Sequence, residues 1–277
     1  MIIDAHQHFW QPARDDYGWM PEDDPILSRP YGPQDLAEGL AQTGVTRTVL
    51  VQAAPSVEET EYMLGIADAT PHVARVVGWI DFEDPGQAAV LERLARHPKF
   101  AGVRPMIQDI ADVDWMLRDD VQWAYAALVD LDLSFDCLGF PRHLENFHRL
   151  LTRYPDMRAV IDHCMKPQLR SMTNDSFGQW ADGMARLARD TGAFCKLSGL
   201  VTEADTDCSD AVLKPCVDHV LDIFGPGRVM WGSDWPVARL RMEYADWHEQ
   251  ARRLVPESAA QAVFGTTAAR FYRIGEA

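Results

Sequence analysis

Two histidines separated by one residue stand near the start of the chain, in Asp4-Ala5-His6-Gln7-His8. The apolar residues around them predict a strand that ends at this pair. Side chains two positions apart on a strand point to the same side, so both imidazoles should lie together. Such a pair is a natural beginning for a metal site, although taken alone it also fits two hydrogen-bonded core histidines.

Two further side chains that could bind a metal or move a proton stand at the ends of later apolar runs. His163 follows three apolar residues and Asp162, and Asp234 lies in Trp-Gly-Ser-Asp-Trp-Pro at 231–236. A carboxylate there could bind a metal, accept a proton from water, or do both in sequence. Each has a structural alternative, His163 as a buried partner of Asp162 and Asp234 as a helix N-cap. Together with the histidine pair, however, they predict one reaction centre.

Four more residues are candidates for contact with a substrate. Arg104 ends another apolar run, where its guanidinium could bind a carbonyl or carboxylate oxygen with a forked pair of donors, or could pair with a neighbouring acid. Lys166 could meet the substrate or merely cover the rim. Trp19 and Trp235 could form walls of a pocket, although tryptophan is more common in a core.

The elements that must position these residues alternate along the chain. Short apolar runs recur, each followed by a helix-like stretch, which predicts a single closed (β/α)8 barrel over residues 1–277. The predicted strands are Ile2–His8, Thr46–Ala54, Arg75–Phe82, Ala101–Ile107, Leu133–Phe140, Arg158–Cys164, Ala193–Leu200 and Arg228–Asp234. A doubly wound open sheet is the alternative, but no G-x-G-x-x-G motif follows the first strand.

Start and stop signals delimit the helical stretches between the runs. The predicted helices are Pro33–Gln42, Val57–Ala69, Gly86–Arg96, Asp120–Leu131, Pro141–Arg153, Phe177–Thr191, Asp210–Phe224, Glu243–Leu254 and a closing helix Ser258–Tyr272. Pro215 falls inside the seventh of them, where proline would kink or shorten a helix. The long irregular segment Phe9–Gly32 follows the first strand, on the face where barrels bind substrate, and predicts a built-up pocket.

Composition excludes several classes of partner. The formal net charge of −16 over 277 residues disfavours nucleic acid and anionic membrane surfaces. No apolar run is long enough to cross a bilayer, and no basic segment followed by an apolar one opens the chain. The five cysteines form no C-x-x-C pair, so we expect reduced thiols and a cytoplasmic protein. A serine hydrolase is disfavoured because no G-x-S-x-G motif occurs.

Four motifs resemble one family. Asp-Ala-His-Gln-His-Phe-Trp at 4–10, Gly-Val-Arg at 102–104, Asp-His-x-x-Lys-Pro at 162–167 and Trp-Gly-Ser-Asp-Trp-Pro at 231–236 are similar to motifs of the amidohydrolase-related lactonases. This branch of the amidohydrolase superfamily includes hydrolases of sugar lactones such as L-fuconolactone. The segment Val263–Tyr272 resembles the closing helix of the branch, so the resemblance covers essentially the whole chain.

The resemblance implies a distorted (β/α)8 barrel that hydrolyses a cyclic ester, with His6, His8, His163 and Asp234 at the reaction centre. Binuclear members carry a lysine or glutamate where this chain has Arg104, and a histidine on strand five where it has Ser-Phe-Asp-Cys at 134–137. The resemblance therefore implies either one divalent ion, with zinc as the first choice, or catalysis without a metal.

We thus expect hydrolysis of a small neutral sugar-acid lactone, by water that Asp234 activates while Arg104 and the histidines polarise the carbonyl. Three alternatives remain open: hydrolysis of a carboxylated lactone, non-oxidative decarboxylation of an aromatic or muconate-type acid, and a barrel that only binds its ligand. The partner expected is a small molecule, and a homo-oligomer is compatible with the sequence.

Overall fold

A parallel barrel organises the chain. In the computed structural model, which describes residues 1–204 and 206–275, eight strands pair in sequence order into one parallel sheet. The strands are β1 (Ile3–Gln7), β2 (Arg47–Val51), β3 (Val73–Gly78), β4 (Phe100–Val103), β5 (Ser134–Cys137), β6 (Arg158–Ile161), β7 (Phe194–Leu197) and β8 (Val229–Trp231). The predicted (β/α)8 architecture is confirmed.

The sheet closes just beyond the ends of β1 and β8. The backbone N–H of Asp234 donates to the carbonyl of His6 at 2.8 Å, and that of His8 donates to the carbonyl of Trp235 at 2.7 Å. These bonds lie at the end of the barrel where the carboxyl ends of the strands meet. We call this end of the barrel the mouth. Closure therefore brings the motif at 4–10 and the motif at 231–236 directly together.

Helices cover the outside of the barrel. They are α1 (Pro33–Thr43), α2 (Val57–Ala69), α3 (Ala88–Ala95), α4 (Gln122–Asp130), α5 (Leu144–Arg153), α6 (Asn174–Asp190), α7 (Leu200–Glu203), α8 (Asp210–Phe224), α9 (Tyr244–Leu254), α10 (Glu257–Gln261) and α11 (Thr267–Tyr272). A π-helical turn, Ala262–Thr266, joins the last two. Within the described ranges, no helix combines the length and apolarity that crossing a bilayer requires.

Local signals explain most helix boundaries. Ser56 caps α2, its Oγ accepting the N–H of Glu59 at 3.1 Å, and α1 ends at Gly44, whose φ of 71° favours glycine. The shortening expected from Pro215 does not occur, because α8 runs through this proline over the predicted bounds. The short helix α7 was not predicted, and β3 begins at Val73, two residues before the predicted strand.

The C-terminal segment covers the end of the barrel opposite the mouth. Arg75 Nε, from β3, donates to the carbonyl of Tyr272 at 2.8 Å, and Arg158, which opens β6, donates from Nη1 to that of Phe271 at 2.7 Å. Phe271 and Tyr272 pack with residues of several strands in the smaller of two apolar clusters. Among the residues that the structure describes, this segment therefore covers the end of the barrel that lies opposite the mouth.

Candidate active site

The two histidines of β1 lie side by side at the mouth, as predicted. The strand register shifts between Asp4 and Gln7, and His6 Nε2 lies 3.2 Å from His8 Nε2. His8 Nδ1 lies 2.7 Å from the carbonyl oxygen of Val51, which can only accept a hydrogen bond. The His8 proton is therefore on Nδ1, and the lone pair of Nε2 faces the site.

His163 approaches from the turn that follows β6. Its φ is 53°, and the next three residues, through Lys166, also have positive φ. This left-handed turn directs the imidazole across the barrel, where its ring centroid lies 4.5 Å from that of His6. Ser198 Oγ lies 2.9 Å from His163 Nδ1, so Nε2 is the nitrogen that faces the centre. The alternative of a hydrogen bond between His163 and Asp162 is replaced by this contact with Ser198.

Asp234 completes the group. Its φ of 56° and the bond from its N–H to the His6 carbonyl place the carboxylate over the imidazoles. Asp234 Oδ1 lies 3.4 Å from His8 Nε2 and 3.8 Å from Nε2 of both His6 and His163. The structure thus brings the side chains of His6, His8, His163 and Asp234 together at one point, as predicted.

Burial governs the protonation of these groups. Desolvation lowers the pKa of all three imidazoles, to about 4 for His163, and the ammonium of Lys196 adds to the effect at His6. Burial would raise the pKa of Asp234, but the imidazoles around it, His163 foremost, outweigh that effect and hold that pKa below its usual range. At neutral pH the centre therefore combines a carboxylate with neutral imidazoles.

A cation fits this arrangement. Ligand atoms of His6, His163 and Asp234 lie within 4.8 Å of one another. His8 Nε2, which cannot donate, faces the carboxylate at 3.4 Å, so two acceptors point at the same space. Such convergence needs a shared proton or a positive ion, and a set of imidazole nitrogens with one carboxylate oxygen is typical of zinc. The residues present thus fit the single divalent ion that was expected.

Arg104 reaches the same centre from the end of β4. Its Nη2 donates to the carbonyl of Gln52, and Nη1 lies 3.3 Å from His6 Nε2 and 3.4 Å from Asp162 Oδ2. Arg104 thus pairs with an acid, one of the two expectations for it, and it also lines the cavity, where contact with a substrate oxygen stays a prediction. Only 4% of the residue is exposed, so its charge acts in a poorly solvated place.

A buried ionic cluster beneath the centre was missed in the sequence. Lys196 Nζ, on β7, lies 2.6 Å from Asp136 Oδ2, 3.0 Å from Asp162 Oδ1 and 3.0 Å from His6 Nδ1. All four residues have no exposed surface. The available signal was a charged residue inside each of three apolar strand runs, which in a barrel predicts side chains that point into the lumen.

A cavity of about 220 Å³ opens above the centre. Its walls include six of the predicted residues, His8, Trp19, Arg104, His163, Lys166 and Asp234. His6 lies below it, fully buried. Residues that were not predicted also line it, notably Met106, Gln108 and Leu138.

The cavity walls are fixed by polar contacts. Trp19 Nε1 donates to the carbonyl of Ala53 at 2.6 Å, and Glu59 of α2 accepts the N–H groups of Ala53 and Ala54 at 3.0 and 2.6 Å. Lys166 Nζ donates to Gln108 Oε1 at 2.6 Å. The irregular segment after β1 thus does supply a wall of the pocket, as its length predicted.

Trp235 lies elsewhere, contrary to the expectation that it contacts substrate. Its ring packs against Phe9 and Tyr31, with centroids at 6.0 and 5.1 Å, and it is not among the residues that line the cavity. The backbone at Asp234 is left-handed, with a φ of 56°, and the side chain of Asp234 lines the cavity while that of Trp235 does not.

Known proteins share both this sequence and this fold. A family profile described as "Amidohydrolase" matches residues 3–274. The chain is 45% identical to an L-fucono-1,5-lactonase of Burkholderia ambifaria, over 98% of this chain and 95% of that protein. It is 36% identical to an L-fucono-1,5-lactonase of Burkholderia multivorans, over 99% of this chain and 96% of that one.

Solved structures agree. Crystal structures of an amidohydrolase from Burkholderia multivorans, one with bound HEPES and one with bound zinc, superpose with TM-scores of 0.93 and 0.92 at 33% identity. Each comparison covers 99% of this chain and 100% of the other. A dihydroxybenzoic acid decarboxylase from Polaromonas, 15% identical with a TM-score of 0.71, shares the fold alone. From the profile match and these identities, the chain belongs to the amidohydrolase family.

Proposed function

We propose that this protein hydrolyses a sugar-acid lactone, and that L-fuconolactone is a member of its substrate class. The observation that carries the proposal is the position of Asp234. Its ionised carboxylate lies among imidazoles at the floor of the cavity, and the guanidinium of Arg104 lines the same cavity. The names of the relatives that are 45% and 36% identical support the same reaction.

Asp234 acts first, as a general base. A water molecule beside Oδ1 gives a proton to the carboxylate and attacks the carbonyl carbon of the lactone. The negative charge that develops on the carbonyl oxygen is stabilised by Arg104, whose guanidinium is held before the reaction begins by Gln52 and Asp162. Low exposure strengthens that interaction, because little water competes for the guanidinium.

Asp234 then acts as an acid. The tetrahedral intermediate breaks the bond between the former carbonyl carbon and the ring oxygen, and the protonated carboxyl returns its proton to that oxygen. The product is an open-chain hydroxy acid. This second proton transfer restores the carboxylate, so Asp234 serves both the attack of water and the opening of the ring.

His6, His8, His163 and Asp234 would hold one divalent ion. Their imidazole nitrogens and carboxylate oxygen are donors typical of zinc. When bound, it would polarise the carbonyl and make a water molecule more acidic. The zinc-bound relative supports this assignment.

The cavity favours a neutral substrate. Its two cationic side chains are already engaged, Arg104 with Gln52 and Asp162, and Lys166 with Gln108. A carboxylated lactone would require a further cation. The lining suits a neutral sugar ring instead. The indoles of Trp10 and Trp19 match its apolar face, and the polar side chain of Gln108 matches its hydroxyl groups. Trp19 is therefore assigned to substrate binding, and Arg104 and Lys166, which also line the cavity, are assigned to hydrogen bonds with neutral oxygen atoms of the substrate rather than to pairing with a carboxylate.

A panel of aldonolactones, with L-fuconolactone among them, tests the proposal directly. Ring opening releases acid, which a pH indicator follows, while a carbon dioxide detector with aromatic and muconate-type acids covers the decarboxylase alternative. We expect acidification with at least one neutral aldonolactone and no carbon dioxide. Carbon dioxide release, or an inert protein with every lactone, would refute lactone hydrolysis.

A further inference from the structure

The loop that follows β2 carries two carbonyls that hold side chains of the cavity wall. The carbonyl of Gln52 accepts Nη2 of Arg104, and the carbonyl of Ala53 accepts the indole N–H of Trp19 at 2.6 Å. Arg104 and Trp19 both line the cavity. The position of these two peptide groups therefore sets where a guanidinium and an indole can meet a substrate.

One buried carboxyl group binds the same two peptide groups through their N–H side. Glu59 Oε2 accepts the N–H of Ala53 at 3.0 Å and that of Ala54 at 2.6 Å, and Oε1 lies 3.2 Å from the Ala53 nitrogen. The N–H of Ala53 shares its planar peptide group with the carbonyl of Gln52, and the N–H of Ala54 shares its own with the carbonyl of Ala53. Each hydrogen bond to Glu59 thus continues, through one amide, into a hydrogen bond from a side chain of the cavity.

Helix capping does not account for this carboxyl group. Glu59 is the third residue of α2, after the N-cap Ser56, and a glutamate in the S-x-x-E pattern commonly accepts the backbone N–H of the N-cap residue. Here the N–H of Ser56 donates instead to the carbonyl of Ala54 at 2.9 Å. Glu59 has no exposed surface, and burying an acid is costly unless it is hydrogen-bonded. Its hydrogen bonds to the loop offset that cost.

Linked hydrogen bonds strengthen one another where little water competes. An amide whose N–H donates to a carboxyl oxygen is polarised, so its carbonyl becomes a better acceptor. Gln52 is fully buried and Ala53 and Arg104 nearly so, which favours this effect. Oε2 of Glu59 can accept both N–H groups whether or not Oε1 carries a proton, so the arrangement does not depend on the charge of the acid.

We propose that Glu59 is a positioning residue, which holds the peptide groups 52–53 and 53–54 and through them directs Arg104 and Trp19 toward the substrate. The kinetic part of this role rests on the proposed function, in which Arg104 stabilises the developing oxyanion and Trp19 binds the substrate. A displaced loop should therefore lower kcat through Arg104 and raise KM through Trp19.

Two substitutions separate the length of the Glu59 side chain from its charge. Glu59→Asp keeps the acid but withdraws it from the loop by one methylene, whereas Glu59→Gln keeps the length and an amide oxygen that can accept both N–H groups. We expect Glu59→Asp to lower kcat by about 10- to 100-fold and to raise KM about fivefold, because aligned groups are displaced. Glu59→Gln should stay close to the parent. Parent-like kinetics in Glu59→Asp, or equal losses in both variants, would overturn the proposal.

The indole proton of Trp19 reports on the same linkage without any substrate. In ¹H–¹⁵N spectra assigned with Trp19→Phe, its resonance should move upfield in Glu59→Asp, because the Ala53 carbonyl becomes a weaker acceptor, and should move less in Glu59→Gln. An unchanged resonance in folded Glu59→Asp would refute the linkage, whether or not any lactone is turned over. Failure of the proposed function and failure of this inference are therefore distinguishable.

Thr60→Val provides the matched control. Thr60 is the next residue of α2, is also fully buried, and accepts the N–H of Trp79, just after β3, at 2.9 Å. Trp79 is not among the residues that line the cavity. The variant should lose stability while kcat, KM and the Trp19 resonance stay as in the parent. Changes equal to those of Glu59→Asp would reveal a general loosening of α2 and refute a specific role for Glu59.

Arg104→Lys supplies a second check. Once the guanidinium is gone, Glu59→Asp has little left to displace beside the oxyanion, so it should lower kcat much less in the Arg104→Lys protein than in the parent. Losses in kcat that simply multiply would show that Glu59 and Arg104 act independently, contrary to the proposal.

Discussion

Arg104 and Gln52 are joined by two hydrogen bonds that run in opposite directions. The guanidinium Nη2 of Arg104 donates to the backbone carbonyl of Gln52, and Gln52 Nε2 donates to the backbone carbonyl of Arg104 at 2.6 Å. The ends of β2 and β4 are therefore fastened together by the same side chain that reaches the centre. A guanidinium held in this way is preorganised, because it does not have to reorient when charge develops on the substrate.

Arg104→Lys tests this preorganisation. Lysine keeps the charge but cannot donate to Gln52 and to the substrate from one planar group. We expect kcat/KM for the lactone to fall by roughly 100-fold, the usual effect of losing one donor to an oxyanion. Arg186→Lys, on the surface of α6 beside Glu145, is the control and should match the parent. Parent-like kinetics in Arg104→Lys would mean that the forked group is unnecessary.

Asp234→Asn removes the proposed general base while preserving size. Turnover should fall by about 10²- to 10⁴-fold, the range expected when a positioned base is lost. Circular dichroism and melting temperature would establish that the variant is folded. Asp190→Asn, which alters an ion pair on the surface of α6, is the comparison. Full activity of Asp234→Asn would remove this carboxylate from the mechanism.

Trp19 and Trp123 form a matched pair for the substrate-binding role. Each indole N–H donates to a backbone carbonyl, that of Ala53 at 2.6 Å and that of Phe82 at 2.8 Å, but only Trp19 lines the cavity. Trp19→Phe should raise KM by about fivefold, equivalent to ~1 kcal/mol, with kcat unchanged, because the smaller ring covers less of the substrate. Trp123→Phe should leave KM as it was. Equal effects on KM would indicate a general loss of stability.

Zinc binding is expected to depend on the imidazole cluster. Protein dialysed against zinc should retain about one ion per chain by elemental analysis, since residues 1–204 and 206–275 contain one such set of nitrogen and carboxylate donors. His163→Ala should lose most of that zinc. His148→Ala, which removes an imidazole 3.0 Å from Asp190 on the surface, should retain it. Equal zinc contents in the two variants would refute the site.

The pH dependence of stability should depend in part on His248. Burial first, and then Arg252, lower the pKa of this residue from 6.5 to about 4. In the unfolded chain it takes up a proton below its ordinary pKa, whereas the folded protein does not until about pH 4. Its contribution is therefore complete above pH 6.5 and is lost as pH falls to 4, by at most about 3 kcal/mol.

His248→Phe removes this titration and keeps a ring against Trp231 and Phe264. The melting temperature of the variant should fall less steeply than that of the parent between pH 6.5 and 4. Identical slopes would contradict the assignment. Measurements at pH 8 supply the reference, since the imidazole is neutral there in both the folded and the unfolded chain.

Periodicity predicted the barrel well because its strands are short apolar runs between helices. What it could not locate were strand ends. The predicted run Arg158–Cys164 extends past β6, which stops at Ile161, because Asp162, His163 and Cys164 are buried like the strand but lie in the turn that follows it. Burial is shared by strands and by the turns at their ends, so a sequence pattern does not separate them.

The reactive group was predictable because its members close three strand runs, and parallel strand ends meet at one mouth. Lys196 and Asp136 were not found, because a charge inside an apolar run has no partner that spacing alone can identify. Their pairing crosses 60 residues of sequence and depends on which side chains enter the lumen. Trp235 was misplaced for a related reason, since the backbone conformation of Asp234 is not encoded in a local motif that could be read.

The turn after β6 has a consequence for engineering. His163, Cys164, Met165 and Lys166 all occupy the left-handed region, with φ between 48° and 57°, although none is glycine. Each such residue costs roughly 1 kcal/mol or more, so the native fold tolerates a local penalty immediately beside a reactive imidazole. Glycine at Cys164 or Met165 would relieve that penalty, but both side chains are fully buried, so the change would also leave a cavity in the core. The turn is therefore held by the packing of its side chains and not by backbone preference, and an engineer who changes these four residues alters stability and the position of the imidazole together.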